Sequence, residues 1–152
     1  MTDAGGAFAL FFEQAEPKLR RAFVATYGAD QGRDAAAEAL TYAWQHWERV
    51  EQMDNPMGYL YRVGQSKSRA RRTPAIFPAP DNAAGVWVEP KLPEALVALS
   101  ERERLAVVLI EGFDWTFREV AELADVSVSS VQSYFERGLR KLRVALGVNQ
   151  DV

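Results

Sequence analysis

Thr116–Leu142 reads TFREVAELADVSVSSVQSYFERGLRKL, and this stretch decides the fold. Thr116 with Glu119 makes a capping box, in which hydroxyl and carboxylate satisfy the backbone donors of a helix start. Val120, Ala121 and Leu123 follow as that helix's apolar side. Ala124-Asp125-Val126 is a three-residue turn. Ser127 then caps a longer helix from Val128 to about Leu146, with Gly147 just after it. A short helix, a tight turn and a longer capped helix predict a helix-turn-helix. Ala121 is small where the two helices would cross, and Val126 and Val131 are apolar where turn and second helix must pack. Ser127, Ser129, Ser130, Gln132 and Ser133 gather near the N-terminus of the second helix, where a recognition helix meets base edges and phosphates. Arg137, Arg140, Lys141 and Arg143 lie further along. The competing reading is a plain helical hairpin with a solvated charged face.

Upstream, Ser100 with Glu103 forms another capping box before Leu105, Val107, Val108, Leu109 and Ile110, and Gly112 ends that helix. A short helix at Pro93–Leu99 precedes it. The first half is helical throughout. Phe8, Phe11, Phe12 and Ala15 make one apolar stripe. Pro17 suits the first turn of a second helix, which Leu19, Ala22, Phe23 and Tyr27 continue and Gly28 stops. A third helix runs from about Gln31 to Val50, with Ala36, Ala39, Leu40, Ala43, Trp44 and Trp47 at helical spacing and both tryptophans assigned to the core. Asn55-Pro56 starts a fourth, from Met57 to about Arg72. Thr73–Pro90 carries Pro74, Pro78, Pro80 and Pro90 without a helical period, and reads as a partly extended linker. Its Ile76, Phe77, Val86 and Trp87 are apolar enough to dock on a domain or contact a partner. No segment reads as a strand. The expected fold is all-α: two small helical domains, residues 1–72 and 92–152, joined by a Pro-rich linker at 73–91, the second domain being the helix-turn-helix.

Composition bounds the function. The 152 residues are 48% hydrophobic and 26% charged, a globular balance. With no cysteine there is no disulfide framework, thiolate zinc site or cysteine nucleophile. The single histidine removes a His-rich metal site. No apolar run approaches ~18 residues and the start Met1–Asp3 is acidic, so a membrane span or secretion signal is not expected and a cytoplasmic setting is. The net charge of -3 hides two basic islands. Residues 59–72 hold Arg62, Lys67, Arg69, Arg71 and Arg72 and no acid, and residues 127–146 hold four bases against Glu136 alone. Local field, not mean charge, attracts phosphates.

Two further constellations stand out. Tyr59–Arg72 combines five bases with Tyr59, Tyr61, Gln65, Ser66 and Ser68, offering phosphate contact, hydrogen bonds and stacking on one helix, as unpaired DNA requires. A solvated charged face is the bland alternative. Asp34 and Glu38, four apart, share a helix face. No histidine or further acid completes a metal-ligand set there, so an acidic surface for a basic partner is favoured over catalysis.

With these residues in hand, the chain resembles an RNA polymerase sigma factor of the extracytoplasmic-function type, in the sigma-70 family. FFEQAEPKLRRAF, DAAAEALTYAWQHWERV and NPMGYLYRV resemble sigma region 2, and LSERERLAVVLIEGFDWTFREVAELADVSVSSVQSYFERGLRKLR resembles region 4. The resemblance spans about residues 7–72 and 92–146. It implies that Asp34 and Glu38 grip the polymerase clamp helices. It implies that Tyr59, Arg62, Lys67, Arg69 and Arg71 lie on the helix that reads and melts the promoter -10 element. Ser129, Ser130, Gln132, Ser133 and Arg137 would face the -35 element, with Arg140 acting through phosphates. Core RNA polymerase and promoter DNA are the implied partners, with an anti-sigma factor as a further one, and no cofactor or membrane. The chain departs from the family pattern at Ala35, Ala36 and Ala37, at Gln65-Ser66, at Ala70, and at Asp125, where glycine is usual.

Three readings compete. In the first, the chain is a sigma factor that directs core polymerase to -10 and -35 elements. In the second, it is a helix-turn-helix DNA-binding regulator without initiation activity. An enzyme is the poorest, since no metal-ligand set, Gly-rich phosphate loop or nucleophile with a base is found.

Overall fold

A computed structural model describes residues 3–69 and 90–148. These residues form eight α-helices and no strand, so the all-α expectation holds. Helix α1 (Ala4–Tyr27) starts at Asp3, whose carboxylate accepts from the Gly5 amide at 3.1 Å. It stops at Gly28, whose φ of 88° is open to glycine and strained for other residues. Helix α2 (Ala29–Gln45) follows directly and packs along α1. Gly32 makes that close approach possible, because a Cβ there would lie 2.5 Å from the Val24 backbone.

Two helix boundaries differ from the sequence reading. Pro17 lies inside α1 rather than at the start of a second helix. Proline removes one backbone hydrogen bond, but the helix is pinned on both sides of it. Phe8 and Phe11 pack on Trp47, and Leu19 and Phe23 are fully buried. The helix expected at Gln31–Val50 breaks at His46 (φ -122°, ψ 33°), giving α2 and the short α3 (Trp47–Glu51). The break turns Trp47 into the core while Trp44 stays 53% exposed, so only one of the two tryptophans is a core residue.

Helix α4 (Pro56–Ser68) begins as its sequence dictates: the Asn55 side chain accepts from the Gly58 amide at 3.1 Å and proline follows at the first position. In the second half, α5 (Leu92–Val97) leads into α6 (Glu101–Val107), which passes into a five-residue π-helical turn at Val108–Gly112. Helices α7 (Phe117–Ala124) and α8 (Val128–Ala145) make the helix-turn-helix. Both capping boxes form with both arms: 3.2 and 3.0 Å at Ser100/Glu103, and 3.0 and 3.0 Å at Thr116/Glu119. Ser127 accepts from the Ser130 amide at 3.1 Å.

The two halves meet. Leu19, Phe23, Val50 and Leu60 from the first, and Leu109, Val120 and Val131 from the second, belong to one continuous buried cluster. Helix α1 packs against α6 and the π turn, and α4 against α7. Each fully buried Leu or Phe contributes about 1.5–3 kcal/mol relative to exposure, so this seam is a substantial contact. A second, smaller cluster of Ala95, Leu99, Val107 and Leu142 closes the far side of the second half. Residues 73–89 of the expected linker, with Ile76, Phe77, Val86 and Trp87, lie outside the described residues.

Candidate nucleic-acid interface

The recognition helix sorts its residues as its period demands. Val131, Gly138 and Leu142 are buried, and Ala121 of α7 is buried where the helices cross. A Cβ at Gly138 would come within 2.6 Å of a Val107 methyl, so this glycine seats α8 on α6. The opposite face is open. Ser129, Gln132, Ser133, Arg137 and Arg140 are exposed and Ser130 is half-buried. Ser130, Ser133, Arg137 and Arg140 line one surface cavity of about 430 Å³ with Tyr134 and Glu136. The structure thus brings together the residues expected to face DNA in this half.

Two groups missed by the sequence reading join that face. Arg102 donates to the Tyr134 hydroxyl at 3.0 Å, and both Arg102 and Arg137 lie over the Tyr134 ring, at 5.6 and 5.4 Å. Contact with one ring draws both cations to the same patch of surface. The i, i+3 spacing of Tyr134 and Arg137 is a local signal for half of this arrangement; Arg102 comes from α6 and has none.

Glu103 anchors α8 from beneath. Its carboxylate, 5% exposed, meets Lys141 Nζ at 2.8 Å and Arg137 Nε at 3.9 Å, and accepts from the Ser100 amide. Burial pushes this carboxyl up, but the hydrogen bonds from Lys141 and Ser100 outweigh it and hold the group below the usual glutamate range.

Helix α4 differs. Arg62, Lys67 and Arg69 are exposed, and Tyr59 is half-buried. Arg71 lies outside the described residues. Tyr61 cannot stack on bases. It is 3% exposed, its ring lies 4.8 Å from Phe23 in a stacked arrangement, and its hydroxyl is 2.7 Å from Thr26 Oγ1. Leu60, Tyr61, Gly64 and Ser68 all face the core, so Tyr61 falls on the wrong side of the helix. Tyr59 instead gains neighbours from α2 and α3. The Tyr42 and Tyr59 hydroxyls are 3.0 Å apart, and Arg49 donates to both, reaching Tyr59 at 3.2 Å. The Tyr59 hydrogen bond, then partial burial, raises the Tyr42 phenol above its ordinary pKa. Lys67 Nζ sits 5.6 Å from the centre of the Tyr42 ring. The seven-residue spacing from Tyr42 to Arg49 is the trace of this cluster in the sequence.

Asp34 and Glu38 behave unequally. Asp34 is exposed, whereas Glu38 is half-buried and lines an open cavity of about 470 Å³ with Ala37, Thr41, Tyr42, Gln45 and Lys67. The residue assigned to polymerase and one assigned to DNA therefore share a single surface. Among the described residues no group of three or more metal-ligating side chains comes together, and no helix is long and apolar enough to cross a membrane.

The arrangement is a helix-turn-helix whose second helix presents an open polar and basic face, beside a basic helix with an aromatic-cation cluster. Residues 90–142 match the family described as sigma-70, region 4. The match lies wholly in the second half of the chain. The matched residues take in α5 to α7 and most of α8, including the open face built on Ser130, Ser133, Arg137 and Arg140. The whole chain also has a sigma factor's fold. It superposes on the sigma factor RpoE of Bartonella quintana, solved in complex with the anti-sigma factor NepR. The TM-score is 0.67, at 21% identity, over 95% of this chain and 99% of that one. No curated protein sequence matches the chain. The resemblance to sigma-70 proteins of the extracytoplasmic-function type is thus supported by a sequence match over residues 90–142 and by a fold shared across both halves.

Proposed function

We propose that the chain is a sigma factor that binds core RNA polymerase and directs it to promoter -10 and -35 elements, as a binding subunit rather than an enzyme. The observation that carries this reading is the open face of α8. It sits on a region 4 helix-turn-helix, and the same molecule carries a second basic helix, α4. Ser129, Ser130, Gln132 and Ser133 read base edges in the major groove, and Arg137 and Arg140 hold phosphates. Arg62, Lys67 and Arg69 contact the backbone of the -10 region, while Tyr59, framed by Tyr42 and Arg49, supplies the ring for an unpaired base. Asp34 and Glu38 meet the polymerase. The work is done in the cytoplasm, where polymerase and promoters are. An anti-sigma factor is a fitting further partner, since the structural neighbour is bound to one.

Run-off transcription with purified core polymerase and genomic promoter fragments tests this. Defined transcripts that require the chain are expected. Duplex binding without any transcript across the fragments would replace this reading with a helix-turn-helix regulator that lacks initiation activity.

A further inference from the structure

The helical period sets the outward stripe of α8. Val131, Gly138 and Leu142 are buried, and the side turned away from them carries Ser129, Gln132, Ser133 and Glu136, all exposed. These four stand at i, i+3, i+4 and i+7 and share one face. A helix lying in the major groove presents such a stripe to successive bases. The first three side chains are polar and neutral. The fourth is an acid, and no other acid lies between Ser127 and Leu146.

Nothing in the fold neutralises this acid. Arg137 lies over the Tyr134 ring at 5.4 Å and has Glu103 at 3.9 Å from its Nε. Among the described residues the Glu136 side chain has no hydrogen-bond or ion-pair partner, and neither has Arg140 one turn along. The Ser129 hydroxyl, by contrast, lies 3.1 Å from Ser127 Oγ at the helix start. A free carboxylate placed between two rows of phosphates opposes binding unless a donor meets it. The major groove holds few donors. Guanine and thymine show only acceptors there, adenine sets its N6 amino group beside the N7 acceptor, and cytosine shows its N4 amino group alone.

We propose that Glu136 is a further base-reading residue, whose carboxylate accepts a hydrogen bond from the N4 amino group of one cytosine in the target duplex. This rests on the reading of α8 as the helix that enters the major groove. A rise of ~1.5 Å per residue places Glu136 about 6 Å along α8 from Gln132. Base pairs are ~3.4 Å apart, so the cytosine lies within about two base pairs of the position that Gln132 reads.

Selection from a duplex library with a randomised block, by the full-length protein alone and with core polymerase, tests this. The wild type should enrich cytosine about tenfold at one position. Glu136→Gln should lose that cytosine and enrich adenine in its place, since a glutamine amide pairs with adenine N6 and N7. Glu136→Ala should lose the preference at that position and keep the others. Gln132→Ala should alter a position within about two base pairs of it. Glu13→Gln, an exposed acid on α1, controls for net charge and should leave every position unchanged. Base preferences in Glu136→Gln and Glu136→Ala identical to the wild type's would overturn the proposal, whether or not all duplexes bind more tightly. The carboxylate would then only repel DNA or face solvent. A wild-type preference for an A·T pair at the affected position would overturn it as well. If the wild type enriches no motif in either arm, α8 reads no bases and both readings fall. A motif selected by the protein alone and never with core polymerase would keep Glu136 as a base reader and remove the sigma-factor reading.

Discussion

Helices α4 and α8 are both basic, both capped by an asparagine or serine, and both assigned to DNA, yet the fold uses them differently. Helix α8 buries one side against α6 and α7 and leaves a broad face open. Helix α4 is packed between α1, α2 and α7, and only a narrow strip through Arg62, Ser66, Lys67 and Arg69 is exposed. A helix at the edge of a fold separates its binding face from its stabilising face. A helix at a junction cannot, so substitutions there report on stability and binding together.

That contrast is most easily broken at Gly64. A Cβ at this position would meet Phe23 Cζ at 2.3 Å and the Ala35 carbonyl at 3.0 Å. Phe23 is fully buried and the carbonyl belongs to α2, so neither yields cheaply. Gly64→Ala should destabilise the protein by up to about 3 kcal/mol, whereas Ser133→Ala on the open face of α8 should stay within about 0.5 kcal/mol. Urea denaturation of the two variants compares them directly. A silent Gly64→Ala would show that α4 is not the junction described.

The recognition helix should then show the reverse pattern. Gln132→Ala is expected to leave folding unchanged and to weaken preference for the cognate base by about 1–2 kcal/mol. Arg140→Ala should weaken binding to all sequences alike. A competition assay against a set of single-base variants of the target duplex separates them. Selectivity lost in Arg140→Ala and retained in Gln132→Ala would invert the assignment.

What was legible in the sequence follows the same division. Four helix starts that depend on a local cap were readable: Asn55-Pro56, Ser100/Glu103, Thr116/Glu119 and Ser127 each bond within a few residues. So was the open face of α8, because its buried side repeats with a simple helical period. The inner side of α4 was not. Tyr61 reads as a stacking residue beside arginines, and only its packing on Phe23 and Thr26, 35 residues away for the latter, shows it to be core. Arg104 follows a capping box and carries no local signal of burial, yet it reaches the Thr26 carbonyl across 78 residues. The break at His46 has no glycine or proline to announce it. Contacts between distant segments decided these cases, and no window along the chain contains both partners.

Glu103 tests whether the face of α8 depends on its support. Its folded pKa is depressed, so its contribution is fully present above the unfolded glutamate pKa and is lost as pH falls through the folded value. The wild type should therefore lose about 1 kcal/mol on acidification through that range. Glu103→Gln should be less stable near neutral pH and flatter on approach to acid. Denaturation midpoints for the two proteins across pH 3 to 7 check this; parallel curves would mean that Glu103 does not support α8 as a carboxylate.

The smallest effect concerns the exposed strip of α4. Lys67 is exposed, sits against the Tyr42 ring, and shares a cavity with Glu38, so its removal should cost little stability. Its expected effect is on salt dependence. Each phosphate contact contributes about 0.7 to the slope of log K against log salt on single strands and about 0.9 on duplex. Between 50 and 200 mM salt, losing one contact reduces the fall in affinity by roughly threefold. Lys67→Gln should show that reduction in promoter-complex formation with core polymerase, while duplex binding by α8 keeps its own slope. If the two slopes shift together, the halves bind as one surface and the contrast between α4 and α8 fails. If neither shifts, Lys67 belongs with Glu38 to a surface that faces protein rather than DNA.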